Sequence, residues 1–436
     1  MIKKIQASHL QVGMFVHDLD IGWIDHPFWG KRFRVSSERQ LAKVRALKLQ
    51  EVYIDTDRGS DITEGVEVSE VIHAIENILQ ETATAPSSEA ITATLQEAVT
   101  HPAPAQKATP LQETITPERN EWKKIPLRTE WPRAMKAKKE ATQIVSKLIS
   151  NIRLGGSVRV EYAESVVEEI VQSVIHNHEA LLGMMSIREP ELYDIEHSVS
   201  VSILLATFGK FLGMSSQSIQ QIALGGLLHD IGITKVPLSI MQKRGPLTNR
   251  EFDIMCRHVD YAREMLQSSE LPTITQEVIF DHHERLDGSG YPLGKEGDEL
   301  SQYARMIAIV DVYDALTSDR CYKQANPSRF ILGKLIEWSK HHFDAQLVQL
   351  FIRCIGIYPI GTLVRLQSGR LAVVTELNET DRMRPVVKVC YDKDHQCPLP
   401  HTRVDLAQQD SDPADKIMDS ELPGEYGLQM DAILAP

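Results

Sequence analysis

From Arg133 to about residue 357 the apolar residues of this chain recur at helical spacing, and on either side of that stretch they alternate as in strands. RAMKAKKEATQIVSKLISNIRLGG closes on Gly155 and Gly156, a natural helix stop, and Val166, Val167, Ile170, Val171, Val174 and Ile175 mark the next apolar stripe. Thr248 with Glu251, and Thr273 with Gln276, stand at capping-box spacing ahead of further helical runs. A chain with this middle folds there as packed helices.

The flanks read differently. Leu10 to Asp18 alternates apolar and polar residues, and VYID at Val52 to Asp55 is strand-like, so residues 1–81 are expected to form a small β-rich domain, with a short helical piece from Val66 to Gln80. Residues 82–119 are rich in Ala, Thr, Pro and Gln without apolar period and read as a flexible linker. The all-helical domain is assigned to 120–357. After it, GTLVRLQSGRLAVVTEL turns at Ser368-Gly369 and PVVKVCYD adds a strand, which predicts a small β-barrel-like domain over 358–407 and a loosely attached tail over 408–436.

The formal charge of −13 gives no general attraction to a polyanion, which excludes a protein that coats DNA or RNA. The Lys/Arg run from Lys123 to Lys139 reads as a solvated helix face. Five cysteines, Cys256, Cys321, Cys354, Cys390 and Cys397, lack paired spacing and suit reduced thiols. Gln6, Ser8, His9 and Gln11 interrupt any secretory apolar run, and nothing approaches a membrane span, so a cytoplasmic protein without membrane attachment is expected.

The chemistry lies in an ordered set of residues in the helical middle: His197, His229-Asp230, His258, His282-His283 and Asp311. Imidazole and carboxylate donors together suit divalent first-row metals, and the absence of cysteine from the set argues against a structural zinc site. Seven donors exceed the needs of one ion. They suit two ions sharing a carboxylate, and Asp230, next to His229, is the best bridge. The chain has 16 His, so chance pairs occur. His341-His342, His176, His178, His9, His17 and His26 lack such company and are assigned structural roles.

Three longer phrases carry a resemblance: LLHDIG around His229-Asp230, HHERLDGSGYP from His282 to Pro292, and ARMIAIVDVYDALTSDRCYK from Ala304 to Lys323. They resemble the HD-GYP subgroup of HD-superfamily phosphohydrolases, and QVGMFVHDLD with VYIDTDRG resembles the small uncharacterised domain that often precedes it. The resemblance implies an all-α HD-type catalytic domain that hydrolyses cyclic di-GMP, and in some members cyclic GMP-AMP. His197, His229, Asp230, His258, His282, His283 and Asp311 fall on its metal positions, with Fe or Mn expected. It further implies substrate contacts from Tyr291, Arg320 and Lys323, and a GYP loop that meets GGDEF proteins.

Two departures qualify that expectation. The usual HDIGK phrase carries a lysine where this chain has Ile233, and Lys235 substitutes for it only if the helix ends near Gly232. Some members carry Glu one turn before the first His as a third-metal ligand, where this chain has Tyr193; two metals are expected and a third is not, with Asp194, three residues before His197, an alternative carboxylate. Ile233 also motivates a second reading, a catalytically weak receptor for the dinucleotide, beside a third, a phosphohydrolase for another nucleotide.

Overall fold

The computed structural model describes residues 2–6, 10, 14–18, 33–34, 44, 51–55, 124–243, 247–318, 326–378, 381–408 and 415–436. The chain divides after Pro86 into two compact units. In the first, β1 (Ile2–Gln6), β2 (Phe15–Asp18), β3 (Phe33–Arg34) and β4 (Glu51–Asp55) form an antiparallel sheet in the order β1-β4-β2-β3. Val16, Val52 and Ile54 are buried with Leu10, Met14 and Val44, as the alternation predicts. The helical piece expected at Val66 to Gln80 and the linker expected at 82–119 lie outside the described residues.

In the second unit α1 (Leu127–Arg153) stops where Gly155 takes φ +83° and returns its N–H to Ile152 O. α2 (Val160–Met185) kinks at Asn177, and Lys210 donates to the carbonyls of Val174 and Ile175 just before the kink. α3 (Tyr193–Phe211) is buried nearly all round from Glu196 to Gly209, as befits a central helix. α4 (Ser216–Leu228) packs on it and is followed by a 3₁₀ turn, Ile231–Lys235. Then come α5 (Leu238–Met241), α6 (Asn249–Cys256), α7 (His258–Leu266), α8 (Thr273–Asp281), α9 (Gln302–Thr317), α10 (Ser328–Trp338) and α11 (Ala345–Ile355).

The capping box at Thr248 and Glu251 is present. That at Thr273 and Gln276 is not: Pro272 is the N-cap, so Thr273 already lies within α8, and Gln276 reaches back to Leu271 O at 2.8 Å.

β5 (Leu363–Leu366), β6 (Arg370–Glu376), β7 (Val386–Asp392), β8 (Cys397–Asp405) and β9 (Ile417–Glu421) form one antiparallel sheet in the order β8-β7-β6-β5-β9, followed by α12 (Met430–Leu434). The expectation of a barrel is corrected: β8 and β9 are the two edges and do not pair, so the sheet is open. Its central strand β6 packs against α2 and α12, and a sheet covered by helices needs no closure to bury its apolar residues. The expected tail is corrected likewise, since β9 pairs with β5 and α12 buries Ile433 and Leu434. Arg382 donates to the Arg353 and Cys354 carbonyls at the end of α11, and Arg329 of α10 pairs with Asp419 of β9 at 3.3 Å.

Candidate metal centre

Four helix ends and one helix middle deliver the seven predicted residues to one place. His197 lies in the first turns of α3, His229 and Asp230 directly follow α4, His258 opens α7, His282 and His283 directly follow α8, and Asp311 is central in α9. Gly232 permits the convergence, because a Cβ there would lie 1.9 Å from His258 O and 2.7 Å from Ala262 N. The glycine of the HDIG phrase therefore lets the turn after Asp230 touch the backbone that carries His258.

The donors form two groups about Asp230. Its Oδ2 lies 3.3 Å from His229 Nε2 and 3.8 Å from His197 Nε2. Asp311 Oδ1 completes this group, 3.1 Å from His197 Nε2 and 3.8 Å from His229 Nε2. Asp230 Oδ1 instead faces His258 Nε2 at 3.5 Å and His282 Nε2 at 3.8 Å, with a ring nitrogen of His283 in the same cluster.

The tautomers show what this arrangement fits. Nδ1 of His229, His258 and His282 lies 2.7 to 2.8 Å from the carbonyl three residues earlier, at Gly226, Met255 and Ile279. Each Nδ1 therefore carries a proton, and in the neutral ring Nε2 keeps a lone pair aimed inward. His258 and His282 Nε2 stand 3.2 Å apart as two facing acceptors, and His229 Nε2 is buried without a hydrogen bond. Facing acceptors beside carboxylates are what a divalent cation satisfies, so the residues present fit bound metal.

Electrostatics divides the groups. Burial opposes ionisation of Asp230, but His229, His258 and His282 outweigh it and hold the carboxyl well below its ordinary value. Burial, with neighbouring His229 and His258, pushes His282 down to about 3, and burial with His282 and His258 lowers His283 strongly. Those imidazoles are neutral. His197 is the opposite case: against burial, Tyr193 and the hydrogen-bonded Asp311 and Asp314 hold it well above the ordinary histidine value.

The remaining predicted residues separate. Tyr291 lies by the centre, its ring 4.6 Å from that of His283 and 6.2 Å from that of Phe252. Lys235 follows the end of α4, as its proposed role required, but its half-exposed ammonium lies 3.6 Å from Glu264. Tyr193 stacks parallel to His197 at 5.8 Å, and Asp194 is exposed. Arg320 and Lys323 lie outside the described residues.

Three residues of the site were not anticipated. Asp314 lies one turn beyond Asp311 and binds His197 Nδ1 at 2.8 Å, and Arg188 binds Asp314. Glu284 accepts the N–H groups of Leu293, Gly294 and Lys295 and so fixes the loop that carries Tyr291. The three-residue spacing of Asp311 and Asp314 is a signal for one shared helix face; Arg188, far away in sequence, has none.

A helical domain that gathers paired His/Asp ligands from the ends of its helices defines an HD-type phosphohydrolase. Residues 169–347 match the HD domain, and residues 2–163 match a domain of unknown function (DUF3391). The chain is 33% identical over 410 residues to the cyclic di-GMP phosphodiesterase PA4108 of Pseudomonas aeruginosa, covering 94% of this chain and 90% of that one. It is 34% identical over 158 residues to the 3'3'-cGAMP-specific phosphodiesterase 2 of Vibrio cholerae, covering 36% of this chain and 30% of that one. Among solved structures, the HDG"Y"P protein Bd1817 of Bdellovibrio bacteriovorus aligns with a TM-score of 0.43 and 17% identity, over 80% of this chain and 98% of that one. The chain belongs to the HD-GYP family of metal-dependent phosphohydrolases. Among the described residues no helix is long and apolar enough to cross a membrane.

Proposed function

We propose that this chain is a cytoplasmic phosphodiesterase that uses two divalent ions, Fe or Mn, to hydrolyse cyclic di-GMP or cyclic GMP-AMP to the linear dinucleotide or to mononucleotides. The observation that carries the reading is Asp230, which turns one oxygen to His197 and His229 and the other to His258 and His282. His197, His229, Asp230 and Asp311 would hold one ion, and Asp230, His258, His282 and His283 the other. Bound there, the ions supply Lewis-acid activation of a phosphoryl oxygen and of the attacking water.

The chain's own residues do the rest. The backbone carbonyls of Gly226, Met255 and Ile279 keep three imidazoles in the ligating tautomer. Glu284 holds the loop so that Tyr291 borders the His258–His283 side, where its ring can stack on substrate. Arg320 and Lys323 are assigned to the dinucleotide, whose phosphates and guanine edges both suit a guanidinium fork. Tyr193 stacked on His197, with Asp194 exposed, supports two ions rather than three.

A second reading, a receptor with slow turnover, is favoured by the pairing of Lys235 with Glu264 and by Ile233 in the lysine position. One assay separates them: chromatography of cyclic di-GMP and cyclic GMP-AMP after incubation with anaerobically purified protein reloaded with Fe(II) or Mn(II). Linear or mononucleotide product supports the enzyme. Survival of both substrates on metal-loaded protein overturns this activity, and dinucleotide binding then marks the receptor.

A further inference from the structure

His229, His258 and His282 each donate Nδ1–H to the backbone carbonyl three residues earlier, which no substitution of a partner side chain removes. His197 alone of these four rests on a side chain. Its Nδ1 lies 2.8 Å from Asp314 Oδ2, and Asp314 is fully buried. A buried carboxylate needs a cation. Arg188 supplies it from the connection between α2 and α3, with Nη2 donating to Asp314 Oδ1 at 2.5 Å. The guanidinium is itself aimed by two further bonds, from Nε to Met185 O at 2.8 Å and from Nη1 to Ser318 Oγ.

We infer that Arg188 and Asp314 are positioning residues that fix which nitrogen of His197 carries the proton, and thereby set the affinity of the His197–His229–Asp230–Asp311 site while leaving its neighbour untouched. The inference rests on the metal reading above. Arg188 can only donate: its short bond, at 2.5 Å, goes to Oδ1 and its Nη1 reaches Oδ2 only at 3.4 Å, so Oδ2 serves chiefly to accept Nδ1–H of His197 at 2.8 Å. With a metal ion in place of the Nε2 proton, Nε2 would then present its lone pair beside Asp311 and Asp230. A carboxylate behind a ligating imidazole also raises its basicity, and loss of such a partner lowers metal affinity by about 10- to 100-fold.

The same logic predicts an unusual pair of variants. In Asp314→Asn the carbonyl oxygen must stay with Arg188, so the amide NH₂ faces His197 Nδ1 and drives the proton to Nε2, where a metal should bind. Removing the arginine as well, in Arg188→Met with Asp314→Asn, frees the amide to turn and offer its oxygen to His197. The second substitution therefore repairs the first.

The test is equilibrium dialysis of the full chain against graded Mn(II), with circular dichroism and thermal melting to confirm the fold. The unaltered chain is expected to bind two Mn(II). D314N should weaken one of them by about 10- to 100-fold and spare the other. R188M should weaken the same ion, and the double variant should bind it more tightly than D314N alone. Two Mn(II) at unaltered affinity on folded D314N, or a double variant no better than D314N, overturns the relay while the metal reading survives. Should R188M fail to fold, D314N alone decides by the first of these outcomes. No Mn(II) on the unaltered chain overturns the metal reading, and the relay with it.

Discussion

Asp230 stands between His229 and His258, with one carboxylate oxygen 3.3 Å from the first and the other 3.5 Å from the second. Asp311 reaches across as well, its Oδ2 3.8 Å from His283 Nδ1, but Asp230 faces two histidines of each group. Asp230→Ala therefore removes a donor from both groups at once, and should lose both metals and lower turnover on the order of a thousandfold or more, the scale of several kcal/mol of Lewis-acid assistance. Metal content and product formation, measured on the same preparation, check this. Full activity in the variant would refute the two-ion mechanism.

The tautomers predict what chelation does. His258 and His282 bring their Nε2 atoms within 3.2 Å of one another while each Nδ1 is engaged by a backbone carbonyl, an arrangement that a cation between the two nitrogens would satisfy. Stripping the metal should lower the melting temperature, and Mn(II) should restore it in a concentration-dependent way, as for any ligand that binds only the folded chain. A melting curve indifferent to both treatments would count against the site.

Gly232 supports the donor cluster although it offers no donor of its own. A methyl group at this position meets backbone, His258 O at 1.9 Å, rather than a side chain that can swing aside. Gly232→Ala should cost at least about 1–3 kcal/mol and displace His258. The expected signature is a lower melting temperature together with weakened binding of the ion on the His258–His282–His283 side.

Glu284 divides its two oxygens over the loop as Asp230 divides its own over the two donor groups. One oxygen accepts from Leu293 and Gly294 and the other from Lys295. Glu284→Gln turns an NH₂ toward one of these donors, leaving an N–H unsatisfied at about 1–3 kcal/mol. Because Tyr291 rides on this loop, KM for the dinucleotide should rise more than kcat falls. An unchanged KM would separate Tyr291 from the substrate.

The sequence revealed this site unevenly, for physical reasons. His197, His229, Asp230, His258, His282, His283 and Asp311 were legible because metal chemistry restricts residue type, and restricted types in recurring phrases stand out. Asp314 could be reached from its helical spacing to Asp311, but Arg188 could not, since a partner 126 residues away is set by packing alone. The barrel expectation failed at β9 for a similar reason. Strand patterning gives the existence of strands, while whether the sheet closes depends on what covers its faces, and here α2 and α12 do.

Position 233 is where this chain leaves its family's phrase, and the geometry makes the consequence measurable. Ile233 occupies the usual lysine position in the 3₁₀ turn after Asp230, and the nearby Lys235 is half-exposed and paired with Glu264 at 3.6 Å. An exposed pair of this kind contributes about 0–1 kcal/mol, so Lys235→Ala should leave both the fold and the metal content unchanged. If Lys235 leaves Glu264 to meet the substrate phosphate, the same variant should lower kcat by about 10-fold, roughly what one charge-assisted hydrogen bond supplies. Ile233→Lys is the complementary change and should raise kcat with the metals undisturbed. Single-turnover rates on equally metal-loaded protein decide between the roles: a slower Lys235→Ala assigns that lysine to catalysis, whereas an unaltered rate beside a faster Ile233→Lys means that this chain works without the family's lysine and turns over slowly for that reason.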